Sequence, residues 1–171
     1  MGEWTNEWTR ETNGLMSLLG IKVIESGTER VEMHMPISAD LYQPDRVVHG
    51  GATIALLESA ASYGASNNAD ASKETVFGVN VNVSHRKSAT HGMLRGVAQV
   101  DRREGPKTFW NVAAYDDEGD IVSEGSVLTL AVSYERLAEK AAAKKARVTG
   151  SATERAGGGA HEAALAGKEA R

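Results

Sequence analysis

Apolar and polar positions alternate near the start of the chain and predict a pair of short strands. In "IKVIESGTERVEMHMPI", Val31, Met33 and Met35 share one face, and polar or charged residues separate them. A period of two is typical of a strand with one buried face, and the Ser-Gly pair in the middle is turn chemistry. The stretch therefore predicts a β-hairpin with one apolar face in the core.

The next apolar segment has the length and composition of a buried helix. From Gly50 to about Ser66, the sequence "GGATIALLESAASYGAS" consists mostly of small and apolar residues. These residues occupy most of the helix circumference. Glu58 is the one carboxylate in the segment, and burial of a charged group is costly unless it has a partner or a function.

Four strand-like segments follow the helix in quick succession. They are "TVFGVNVNVSHRK", "GMLRGVAQVDRR", "KTFWNVAAYD" and "IVSEGSVLTLAVSY", separated by "SATHG", "EGP" and "DDEGD". The separators resemble hairpin turns, so the pattern predicts a four-stranded antiparallel meander. Phe109 and Trp110 are adjacent in one strand, and only one of them is expected to face the helix. The whole order predicts an α+β domain, one sheet packed against one principal helix.

The composition changes near residue 134, which predicts a domain boundary. Residues 1–134 carry the strand and helix patterns. Residues 135–171 are rich in Ala, Gly, Lys and Glu and have no aromatic residue. Such a segment lacks an apolar face to bury, so we expect a tail that is disordered or partly helical.

Charge and composition exclude several classes of function. The net charge of −4 over 171 residues gives no reason to expect nucleic acid or an anionic membrane as partner. The absence of cysteine excludes thiolate catalysis and thiolate metal sites, and the five scattered histidines predict no metal site. No run approaches the roughly 20 apolar residues that span a bilayer, and the N-terminus lacks the features of a signal peptide. A cytoplasmic protein is the expectation.

The start of the long helix is suited to binding a carbonyl oxygen. The first N–H groups of a helix have no partner inside it, and Gly50 and Gly51 let a ligand approach them closely. The same glycines are also compatible with a helix that merely starts beside a strand. Further along, Ser62 lies four residues after Glu58 and hence on its face. That pair would suit a held water or an oriented nucleophile.

The spacing within the helix predicts an oligomer if both features are catalytic. Glu58 lies eight residues after Gly50, which is about 12 Å along the axis. One substrate carbonyl cannot touch both groups of the same chain. A catalytic reading therefore predicts a homodimer in which two copies build each site.

At this point the residues resemble a known family. The run "QPDRVVHGGATIALLESAAS" is similar to the active-site segment of hotdog-fold acyl-CoA thioesterases. It is most similar to the glutamate-type branch that includes 4-hydroxybenzoyl-CoA and 1,4-dihydroxy-2-naphthoyl-CoA thioesterases. "GVNVNVSHRKSATHGMLRGVAQV" and "FWNVAAYDDEGDIVSEGSVLTLAV" resemble later strands of the family. The resemblance implies a hotdog fold, an antiparallel sheet wrapped around one long central helix.

The resemblance also implies a role for each matching residue. The Gly50 N–H would polarise the thioester carbonyl, and the side chains of His49 and Gln43 would contact the thioester region. The partner's Glu58 would attack the carbonyl carbon or activate water, while Ser62 would position that water or the carboxylate. The implied assembly is a homodimer or a dimer of dimers. No cofactor or metal is implied, because CoA arrives as part of the substrate.

The remaining binding residues are expected around the same helix start. Gly51 and His85 are candidates for substrate binding, and Arg86 and Lys87 are candidates for the CoA phosphates. Further candidate cations are Arg102, Arg103 and Lys107. Each cation is equally compatible with a solvated surface charge.

The predicted function is hydrolysis of an acyl-CoA, with an aryl-CoA as the preferred substrate class. The alternative is a non-catalytic acyl-CoA-binding regulatory or accessory protein on the same fold. A hotdog hydratase or dehydratase is a further alternative, but the Asp–His pair that such chemistry uses is not found.

Overall fold

The computed structural model describes residues 14–145. These residues fall into two units, with the boundary along the chain after Val132. The first unit holds the sheet and two α-helices. The helices are α1 (Leu15–Leu18) and α2 (Gly50–Asn67), with a 3-10 helix at Ala39–Leu41; the strands are β1 (Lys22–Ser26), β2 (Arg30–Pro36), β3 (Glu74–His85), β4 (Met93–Glu104), β5 (Lys107–Tyr115) and β6 (Ile121–Ser133).

The six strands form one antiparallel sheet in the order β1-β2-β4-β5-β6-β3. Strands β1 and β3 are therefore its two edges, and β2 pairs on both sides. Helix α2 packs across the inner face of this sheet. The predicted α+β class is confirmed.

The predicted meander of β3 to β6 is wrong at its first connection. Strand β3 lies beside β6 at the far edge, and β4 pairs with β2. The segment after β3 is a crossover, held where Val48 N–H donates to Ala89 O and Ile37 N–H donates to Gly92 O, each at 2.9 Å. Pairing β4 with β2 gives the apolar β2 a neighbour on each side, so its backbone groups are hydrogen-bonded along both edges.

Helix α2 and the inner face of the sheet share one core. Leu56, Leu57, Ala60 and Ala61 of the helix are fully buried. Trp110 of β5 is also fully buried and lies so close to α2 that a Cβ at the helix residue opposite, Gly64, would be 2.5 Å from its Cη2 atom.

The alternation predicted for β5 is confirmed by what each aromatic ring contacts. Trp110 faces inward, and its Nε1–H donates to the hydroxyl of Thr129 at 3.0 Å. Phe109 is only half-buried, and the guanidinium of Arg102 lies 3.7 Å from its ring centroid. Only one of the two rings therefore belongs to the core that supports α2.

The second unit contains a helix over residues 134–145. Its start is capped, because the Ser133 hydroxyl accepts a hydrogen bond from Arg136 N–H at 3.3 Å. The predicted tail beyond residue 145 lies outside the described residues, so the division into a domain and a tail stays a prediction. None of the helices described is both long and apolar enough to cross a membrane.

Candidate active site

The start of α2 leaves one backbone N–H free. His49 caps the helix, and its Nδ1 atom accepts a hydrogen bond from Gly51 N–H at 2.8 Å. A neutral His49 ring that accepts at Nδ1 carries its hydrogen on Nε2 and can donate it. Within residues 14–145, Gly50 N–H has no hydrogen-bond acceptor. Gly50 rather than Gly51 therefore offers its N–H to a ligand.

A short loop holds Gln43 near this helix start. Tyr42 and Val48 form an isolated antiparallel bridge, and Gln43 N–H donates to Val47 O at 2.9 Å. The side-chain amide of Gln43 donates to Asp45 Oδ2 at 3.3 Å. These backbone contacts hold the two ends of the loop together next to His49. The amide oxygen of Gln43 stays available as an acceptor.

His85 at the end of β3 packs directly on Gly50. A Cβ at Gly50 would lie 2.6 Å from His85 Nε2, so no larger residue fits without moving the ring. The other ring nitrogen, Nδ1, lies 2.8 Å from the hydroxyl oxygen of Ser123 on β6. His85, His49 and Gly50 are thus brought together at one end of α2.

Glu58 lies two turns further along α2, against the other part of β3. It is half-buried, and a side chain at Gly78 would overlap its Oε1 atom. No hydrogen bond joins its carboxylate to another residue in the described range. The hydroxyl of Ser62 is half-buried on the same helix and makes no hydrogen bond to Glu58 there. The carboxylate therefore has its lone pairs available for a water or a substrate carbon.

A cavity of about 330 Å³ opens beside the helix start. Its lining is mostly apolar, with His49 at one side and Asp40 as the charged residue. The lining residues are Leu15, Leu19, Asp40, Leu41, Tyr42, His49, Gly51, Ala52 and Ala55. A mostly apolar cavity with a few polar groups is the usual form of a small-molecule site.

Comparison with known proteins identifies the family. The sequence profile of the thioesterase superfamily matches residues 46–123. The proofreading thioesterase EntH of Cronobacter turicensis is 30% identical over 105 residues, which cover 61% of this chain and 76% of that protein. The chain belongs to the thioesterase superfamily. It is a thioester hydrolase.

Another relative and two solved structures agree with this assignment. The 1,4-dihydroxy-2-naphthoyl-CoA hydrolase of Escherichia coli K12 is 27% identical over 115 residues, covering 67% of this thioesterase and 84% of that enzyme. A glutamine-to-alanine variant of thioesterase enzyme SAV0944 from Staphylococcus aureus superposes with a TM-score of 0.67 at 25% identity, covering 68% of this chain and 97% of that one. A glutamate-to-alanine variant of SAV0944 gives 0.69 at 25% identity, covering 70% and 99%. The hotdog fold implied by the resemblance is confirmed.

The cations after β3 are already paired with carboxylates. Arg86 Nε lies 2.9 Å from Glu124, and Lys87 Nζ lies 2.6 Å from both Asp116 and Asp120. These contacts raise the pKa of Lys87, chiefly through Asp116, and lower the pKa of Asp116 in turn. A CoA phosphate would have to compete with these carboxylates, so the role of Arg86 and Lys87 in binding stays a prediction.

The candidate cations of the β4–β5 hairpin have partners as well. Arg102 pairs with Asp101 and Glu104 at 2.7 Å each, and Arg103 pairs with Glu29 at 2.7 Å. For Lys107, the remaining candidate, contact with a CoA phosphate stays a prediction. Over residues 14–145 there is no cluster of three or more His, Asp or Glu side chains that could hold a metal ion.

Two residues of this candidate site, Gly78 and Ser123, were not predicted from the sequence. Gly78 carries a signal that could have been used, since a glycine inside a strand often marks the close approach of another group. Ser123 carries none, because a single serine in a strand is ordinary. Only the placement of β3 beside β6 brings it to His85.

Proposed function

We propose that this thioesterase hydrolyses acyl-CoA thioesters with an aromatic acyl group, releasing the free acid and CoA. The observation that carries the proposal is the free Gly50 N–H at the start of α2. Gly50 packs against the ring of His85, and its neighbours His49 and Gly51 line an apolar cavity. A backbone donor at the positive end of a helix stabilises the charge that develops on a thioester oxygen under attack.

The acyl group is assigned to the cavity beside the helix start. Leucine, tyrosine and alanine side chains form most of its lining, so it favours an apolar group of moderate size. The named substrate of the Escherichia coli relative, 1,4-dihydroxy-2-naphthoyl-CoA, carries an aromatic acyl group. Both observations support an aryl-CoA.

Glu58 supplies the reacting carboxylate. As a nucleophile it would add to the carbonyl carbon, expel the CoA thiolate and leave a mixed anhydride that water then hydrolyses. As a general base it would take a proton from the water that adds to that carbon, and the proton would pass to the leaving thiolate. Ser62 lies on the same face of α2 and would position the water or the carboxylate. His49 and Gln43 would bind around the thioester.

A second copy of the chain completes each site. Helix α2 runs beside β3 so that Gly50 contacts His85 and Glu58 contacts Gly78. Strand β3 is a sheet edge, and its Phe77 is 45% exposed. If two β3 strands paired antiparallel about a point midway between residues 78 and 85, each Gly78 would face the partner's His85. The partner's Glu58 would then approach Gly50, which the same chain keeps about 12 Å away.

The spacing of the two substituted residues in SAV0944 supports Gln43 and Glu58 as the corresponding residues of this chain. The glutamine and the glutamate replaced by alanine in its two structures are fifteen residues apart. Gln43 and Glu58 have that separation in this chain.

Thiol release from a panel of CoA thioesters tests the proposal. We expect benzoyl-, 4-hydroxybenzoyl- and naphthoyl-CoA to give kcat/KM values at least about tenfold above those of acetyl- and palmitoyl-CoA. A faster reaction with aliphatic esters would keep the hydrolase and overturn the aromatic assignment. Binding of every ester without release of thiol from any would favour the non-catalytic acyl-CoA-binding alternative.

Replacing Gly78 with alanine is expected to lower kcat about tenfold with little change in KM. The new methyl group would occupy the position of Glu58 Oε1 and turn the carboxylate away from the line of attack, and small displacements of a reacting group are costly. The measurement is steady-state thiol release at saturating substrate. Gly14→Ala is the control, because a Cβ there meets nothing within 4 Å. An unchanged kcat in Gly78→Ala would contradict the assigned position of the carboxylate.

A further inference from the structure

Strand β6 carries two buried hydroxyl groups that serve different parts of the molecule. Thr129 is 1% exposed, accepts from the Trp110 indole and donates to Thr108 O at 3.3 Å, so it belongs to the core. Ser123 is fully buried, and its hydroxyl oxygen lies 2.8 Å from His85 Nδ1. Over the described residues, His85 is the one hydrogen-bond partner of that hydroxyl.

Burial determines which atom of this pair carries the hydrogen. If Nδ1 donated to Ser123, the serine hydrogen would be left buried with no acceptor and no access to water, which costs free energy. If the hydroxyl donates to Nδ1, both groups are satisfied. The second arrangement leaves the neutral ring with its hydrogen on Nε2.

The Nε2 atom points at the start of α2. It lies 2.6 Å from the position that a Cβ of Gly50 would take. Since a Cβ is roughly 2.5 Å from the nitrogen of its own residue, His85 Nε2 lies within about 5 Å of Gly50 N. One oxygen atom can accept hydrogen bonds of about 3 Å from two donors at that separation.

We propose that Ser123 is a positioning residue of the thioester site. Its hydroxyl donates to His85 Nδ1 and so holds the ring with Nε2–H directed at the oxygen that Gly50 N–H also binds. Two donors then stabilise the developing oxyanion in place of one. This inference rests on the proposed thioester hydrolysis, and it extends the site to a strand that contributes no group to the substrate itself.

Kinetics of three variants test the positioning role. We expect Ser123→Ala to lower kcat about tenfold with KM within about twofold, less than the loss of roughly a hundredfold that follows complete removal of an oxyanion donor. Ser123→Thr keeps a hydroxyl and is expected to recover most of the rate. Thr129→Val removes the other buried hydroxyl of β6 and is expected to keep kcat, although its thermal stability falls. An equal loss of kcat in Thr129→Val and Ser123→Ala would show that Ser123 acts only through packing in the core, and it would overturn the proposal.

The state of the His85 ring supplies a readout that packing alone would not move. In protein labelled with ¹⁵N-histidine, and with His85 assigned by its loss in His85→Gln, the ring nitrogens report which atom bears the hydrogen. We expect hydrogen on Nε2 in the wild type and in Ser123→Thr, and a mixture of both forms in Ser123→Ala. The same form in the wild type and in Ser123→Ala would contradict the proposal.

The two measurements separate this inference from the function on which it rests. If the wild type releases no thiol from any ester, the proposed function fails, and the positioning role in hydrolysis fails with it whatever the ring nitrogens report. If the wild type is active and Ser123→Ala retains full kcat, hydrolysis stands and the role of Ser123 is overturned.

Discussion

Replacing Glu58 with glutamine is expected to lower kcat for acyl-CoA hydrolysis by at least about a hundredfold, with KM nearly unchanged. Glutamine has almost the same shape as glutamate and fits the same space against Gly78. Its amide can neither attack the carbonyl carbon nor take a proton from water. A loss in kcat without a change in KM identifies an interaction made only in the transition state.

A second carboxylate provides the matched control for this experiment. Glu118 is exposed in the turn between β5 and β6, far along the chain from the helix, so Glu118→Gln makes the same chemical change without touching the site. It is expected to keep the kcat of the wild type. Thermal unfolding of both variants shows whether the fold survives. A Glu58→Gln protein with more than about a tenth of the wild-type kcat would exclude the carboxylate as nucleophile and as general base.

Local patterns were sufficient to predict the strands and the long helix of this fold. The alternation of Val31, Met33 and Met35 is confirmed by a strand in which all three are fully buried. The helix predicted from Gly50 to about Ser66 extends from Gly50 to Asn67. These predictions hold because side-chain periodicity reflects which face of an element is buried, and one face of each element lies against the same core.

The order of the strands was beyond such patterns. The segment "SATHG" has the residues of a turn, yet it connects strands at different positions in the sheet. Its Ala89 and Gly92 carbonyls accept hydrogen bonds from Val48 and Ile37, partners that lie more than forty residues earlier in the chain. Turn composition describes local conformation and carries no information about such distant partners.

The candidate site shows the same division between local and distant information. Gln43, His49 and Gly50 lie within one short stretch, so their proximity could be predicted from the motif that they form. The contacts of Gly78 with Glu58 and of Ser123 with His85 join elements far apart in the chain. They depend on where β3 and β6 lie in the sheet, and no periodicity along the sequence reports that.

A heterodimer of two inactive chains is expected to recover activity. Gly50→Val places a side chain where the His85 ring lies, 2.6 Å from Nε2 at its Cβ alone, and covers the backbone donor. We expect this variant, like Glu58→Gln, to retain about 1% of wild-type kcat or less. In a heterodimer of the two, one composite site combines an intact Gly50 with the partner's intact Glu58. With differently tagged chains co-expressed and purified in tandem, thiol release should reach about half of the wild-type rate.

The cis arrangement of the same two substitutions is the control that decides between shared and separate sites. A heterodimer of the wild type with the doubly substituted chain has one substitution in each composite site, so it is expected to be nearly inactive. If each chain instead built its own site, the results would reverse: the cis heterodimer would keep about half of the activity and the mixed one would have almost none. Because both pairings carry the same two substitutions in total, instability of the variants cannot imitate this reversal. A half-active mixed heterodimer beside an inactive cis heterodimer would therefore assign Gly50 and Glu58 to opposite chains of one site.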